Sequence, residues 1–97
     1  MKAVFISYNQ ALTDRINSML DDLGIRGFTR WALTEGRGSF EGEPHYGTHA
    51  WPSMNTSILA VVEDSKVEPV LEALREIDST TEQQGSRAFV WNIEQCM

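Results

Sequence analysis

One cysteine, three prolines and two histidines are all that this 97-residue chain holds of those types. With Cys96 alone, no internal disulfide can form. The fold must therefore stand on its core, and cysteine usage of this kind is expected of a cytoplasmic protein. Positive charge is scarce too: eight Lys and Arg face fourteen Asp and Glu, for a net charge of −6. Nucleic acid and anionic membrane surfaces both select a basic face, so neither is expected as a partner. No apolar run approaches the ~20 residues of a membrane-spanning helix, so no direct membrane insertion is expected. The apolar opening, Ala3 to Tyr8, is too short for the core of a secretion signal. Catalytic constellations are missing as well. No serine sits in a Gly-x-Ser-x-Gly context, no carboxylate pair stands out as an acid/base couple, and Cys96 lies at a frayed end. The chain does not read as an enzyme.

At 41% hydrophobic residues, residues 1–97 can build one core and read as a single domain. Residues 3–8, AVFISY, are β-branched and aromatic and predict strand one. Asn9 can cap the helix after it. Leu12, Ile16, Met19, Leu20 and Leu23 form one helical face, and Gly24 stands where a left-handed C-terminal cap belongs. Phe28 to Glu35 predicts strand two and Thr56 to Val62 strand three. Ser65-Lys66-Val67-Glu68 has the form of a capping box. Val67, Val70, Leu71, Leu74 and Ile77 give the second apolar stripe, with Pro69 expected in its first turn. Residues 78–86 read as a polar turn and Arg87 to Glu94 as strand four.

The order βαββαβ is the split βαβ, or ferredoxin-like, plan of the α+β class. Right-handed crossovers put two helices on one face of a four-stranded antiparallel sheet, with strands one and three central. The other face should then alternate cleanly with polar residues. It does not. Val4-Phe5-Ile6 and Ile58-Leu59-Ala60-Val61-Val62 are apolar on both sides, and strand four carries Phe89, Trp91 and Ile93 opposite Ala88 and Val90. A second copy of the chain is the simplest cover for the open face, with Trp31 and Trp91 as anchors on edge strands.

Between strands two and three, residues 35–55 hold four of the seven glycines, two of the three prolines and both histidines. His45 and His49 have a His-x3-His spacing that suits a divalent transition metal on a helix. Gly47, Pro44 and Pro52 argue against a helix there, and two ordinary loop histidines are the alternative. Gly36-Arg37-Gly38 can turn successive N–H groups toward a phosphate beside a planar cation, or can be a tight turn with a solvated Arg.

The ordered set of motifs resembles the PII signalling proteins along the whole chain. Gly27-Phe28-Thr29 resembles the family's entry to strand two, and Gly36-x-Gly38 followed by Gly42 resembles the start of its long mobile loop. Pro52, Val61-Val62-Glu63-Asp64 and Gly85-Ser86-Arg87-Ala88-Phe89-Val90 match its pattern around strands three and four. After Gly38 the chain reads Ser39-Phe40-Glu41 where the family has Arg-Gln-Lys, which marks a divergent member of the nitrogen regulatory protein PII family.

The resemblance implies a homotrimer with adenine-nucleotide pockets between subunits. Thr29 would lie near the base, Gly36, Arg37 and Gly38 near the phosphates, and Arg87 in place of a phosphate-binding Lys. It also implies an output loop, residues 36–52, that docks on a transporter or regulatory protein. The related cation-tolerance trimers offer the alternative, with metal held by His45 and His49.

Overall fold

The computed structural model describes residues 1–37, 54–81 and 85–97. Four strands, β1 (Lys2–Asn9), β2 (Thr29–Thr34), β3 (Asn55–Val62) and β4 (Ser86–Asn92), form one sheet in the order β2-β3-β1-β4. All pairings are antiparallel, and β1 and β3 are central as expected. Helices α1 (Thr13–Asp22) and α2 (Asp64–Ser79) supply Ile16, Met19, Leu20, Val70, Leu74 and Ile77 to one core with Val4, Ile6, Tyr8, Ile58, Ala60 and Val62. Those strand residues alternate, so both helices cover the same sheet face.

Local chemistry sets the element ends. Asn9 leaves β1 and its Oδ1 accepts from the Ala11 N–H at 2.9 Å, capping the short 3-10 turn Gln10–Leu12 that leads into α1. At the other end Gly24 takes φ +71°, the Gly24 N–H donates to the Asp21 carbonyl and the Ile25 N–H to that of Leu20. This pair of bonds is a Schellman cap, which favours glycine at the left-handed position. Lys66 Nζ adds a bond to the Leu23 carbonyl at 2.6 Å.

Helix α2 departs from expectation. It begins at Asp64, with Glu63 as N-cap and no side-chain cap bond, so Ser65 lies inside the helix and its capping box does not form. The first turn is held instead by the N-terminal ammonium, 2.9 Å from Asp64. A carboxylate there also suits the helix dipole. Pro69 is consequently in the second turn, where it removes the bond to the Ser65 carbonyl. The helix also runs through Asp78 and Ser79, into the segment expected to be turn.

Candidate ligand site at the polar end of the open sheet face

Opposed residues of a sheet share a face, so the strand registers lay out the uncovered side in rows. Ala3 is flanked by Val61 and Trp91, Phe5 by Leu59 and Phe89, and Ser7 by Ser57 and Arg87. Beyond β3, Thr29 opposes Leu59 and Trp31 opposes Ser57. Phe89, Trp91 and Trp31 remain 59%, 49% and 46% exposed. The face thus divides into an apolar end around Phe5 and a polar end around Ser7.

A bulge builds the polar end. Three steps along β2, from Trp31 to Thr34, match two along β3, from Ser57 to Asn55. The extra residue frees a ladder carbonyl, and Thr56 Oγ1 donates to that of Ala32 at 2.8 Å. The bulge also returns Thr34 to the open face, where its hydroxyl lies 3.1 Å from that of Ser57. Asn55 Nδ2 reaches toward Ser7 Oγ at 3.5 Å. Gly36 packs against this amide so closely that a Cβ would stand 2.5 Å from Asn55 Nδ2. Hydroxyls and an amide therefore meet at one end of the sheet, in the row that Arg87 closes on β4 and near the point where the chain leaves through Gly36 and Arg37. Such a set of donors suits an anionic ligand.

Ser86, next to Arg87, is braced from α2. Asp78 accepts from the Ser86 N–H at 3.1 Å and from its hydroxyl at 2.9 Å. An acid near a helix C-terminus opposes the dipole, and these bonds offset that cost. Nothing in the local sequence distinguishes Asp78 from the other acids of α2, so sequence reasoning misses this contact. It misses the polar end for a similar reason: Ser7, Thr34, Asn55 and Ser57 are far apart in sequence and only the sheet register joins them.

Of the expected ligand residues, Gly36 lies at the polar end on the β2 side, with exposed Arg37 following it, and Arg87 lies at the same end on the β4 side. Thr29 does not join them. It sits in the Phe5 row, nearer the apolar end, and three strand spacings, about 14 Å, separate the β2 edge, on which Gly36 also lies, from β4. Gly38, His45 and His49 lie outside the described residues, as does most of the 36–52 loop. Among the described residues no three His, Cys, Asp or Glu side chains cluster as metal ligands. No described helix is long and apolar enough to cross a membrane.

Comparison with known proteins covers the whole chain. The family model for nitrogen regulatory protein P-II matches residues 1–97. No curated protein matches significantly. Among solved structures, CPII, a nitrogen regulatory PII-like protein from Thiomonas intermedia K12 bound to ADP, AMP and bicarbonate, is similar with a TM-score of 0.71. It is 20% identical, over 97% of this chain and 88% of that one. A putative PII-like signaling protein from Thermus thermophilus is similar with a TM-score of 0.67 and 24% identity, over 95% and 85% of the two chains.

Proposed function

Because the chain belongs to the nitrogen regulatory protein P-II family, we propose that it is a homotrimeric regulator, not an enzyme, that senses an adenine nucleotide between subunits. One observation carries this reading: the expected ligand residues do not converge within a single chain. Thr29 lies at one sheet edge in the apolar row, while Arg87 lies at the other edge in the polar row. A neighbouring copy that covers the open apolar face brings its own Thr29 to the first copy's Gly36 and Arg87. Oligomerisation and site completion then become one event.

The chemistry at each position fits its role. The Arg87 guanidinium and the backbone at Gly36, Arg37 and Gly38 bind phosphate oxygens. Thr29 offers a hydroxyl to the base. The bound ADP, AMP and bicarbonate of the Thiomonas protein favour this ligand class over a metal. Ligand contact at Gly36 and Arg37 reaches the root of the 36–52 loop directly, which lets that loop report occupancy to a transporter or regulatory protein. The site of action is the cytoplasm.

Titration of ADP into the purified protein tests the reading. Saturable binding that Arg87→Ala weakens at least roughly tenfold, a change of about 1.4 kcal/mol, is expected. Binding indifferent to Arg87, or zinc binding lost in His45→Ala without any nucleotide affinity, contradicts it.

A further inference from the structure

On the opposite side of the molecule, α1 and α2 leave a groove of about 540 Å³ between them. Its floor is apolar, formed by Met19 and Leu23 of α1 and Ala73 and Ile77 of α2. Its rim carries three carboxylates, Asp14, Asp22 and Glu76. Arg15, the cation on that rim, donates to Thr80 Oγ1 at 2.7 Å and so ties the start of α1 to the end of α2. Neither ion pair found among the described residues, Met1 with Asp64 or Arg75 with Glu72, involves the rim. An apolar trough is thus edged by negative charge that the described residues leave without an ion-pair partner.

We propose that this groove docks a basic amphipathic helix of a partner protein. An apolar stripe of such a helix fills the trough over Met19 and Ile77, and flanking Lys or Arg side chains reach the two rims. Asp14 and Asp22 are eight residues apart on α1, about 12 Å at 1.5 Å per residue, so two turns of the incoming helix span the acidic rim. Charge of one sign on both rims selects against acidic helices and speeds association with basic ones. The groove lies on the helical side of the domain, away from Gly36 and Arg87. Docking there needs neither a nucleotide nor the open sheet face.

The test uses the full chain and a fluorescein-labelled Leu/Lys peptide of about 14 residues, written so that Leu falls on one helical stripe. Saturable binding is expected, with amide shifts confined to α1, residues 73–79 of α2 and its C-cap Thr80. A peptide of the same composition with the stripe scrambled should bind at least roughly tenfold more weakly. So should Asp22→Lys/Glu76→Lys protein, whose substitutions are exposed; Asp22→Asn/Glu76→Gln gives a milder loss in the same direction. Equal affinity for the scrambled peptide, shifts centred on Phe5 and Phe89, or dimerisation through the groove without peptide would each overturn the proposal. Failure to saturate by about 1 mM, the weak limit of specific contact, would do so too.

Discussion

Replacing Trp91 by Asp should dissociate the protein into folded protomers. In the isolated chain the Trp91 side chain faces away from the helices and is 49% exposed. A Trp buries up to about 250 Å² when fully covered, so roughly half of that is left for a neighbour. At about 25 cal/mol per Å² this is worth ~3 kcal/mol for each protomer. The substitution removes that gain and puts a carboxylate at the edge of an apolar row, beside Ala3 with Val61 beyond it. An unpaired charge there costs several kcal/mol more. A total beyond ~5 kcal/mol weakens association more than a thousandfold. The protomer itself loses little, because in it position 91 is already half in water. Size exclusion with light scattering should give three times the 11.0 kDa chain mass for the wild type and the chain mass for the variant, with unchanged far-UV dichroism. A variant that remains trimeric at micromolar concentration would show that the open face is not the interface.

Three further perturbations probe the site and its supports. Gly36→Ala should cost about 1 kcal/mol in urea unfolding, since its Cβ would displace the Asn55 amide from its approach to Ser7; an unchanged midpoint refutes the close packing. Asp78→Ala should cost about 2 kcal/mol by leaving the Ser86 N–H and hydroxyl without their acceptor, and should weaken ADP binding through Arg87; a stability loss with full affinity would confine Asp78 to the fold. The N-terminal ammonium, by hydrogen bond and charge, holds the Asp64 carboxyl below its ordinary 3.8. A depressed folded pKa contributes stability that is present above 3.8 and lost as pH falls through the folded value. The melting temperatures of wild type and Asp64→Asn should therefore differ at neutral pH and converge in strong acid, and a gap that persists there contradicts the pairing.

Periodicity carried most of the fold. The stripes Leu12–Leu23 and Val67–Ile77 and the apolar runs of the strands located both α-helices and all four strands, though not the 3-10 turn Gln10–Leu12, and the two-sided apolarity of strands one and three marked the face the helices leave uncovered. Gly24 was legible because a single residue supplies the whole requirement of its cap. Helix α2 was misread at its start because the Ser65-x-x-Glu68 pattern competes with a contact no window can see, that of Asp64 with the chain terminus. The candidate site was legible only where it is local. Gly36, Arg37 and Arg87 sit beside glycines that announce them, whereas Ser7, Asn55 and Ser57 become a patch only through strand register. Register also showed that Thr29 and Arg87 lie at opposite edges, which no spacing in the sequence expresses.

The central claim is that the nucleotide site exists only between copies. ADP titrated calorimetrically into wild-type protein and into Trp91→Asp tests it most directly, because Trp91 lies on β4 two rows from Arg87 in the apolar end of the face. The account predicts one ADP per protomer for the trimer and no measurable binding to the folded monomer. Equal affinity in both forms would contradict it.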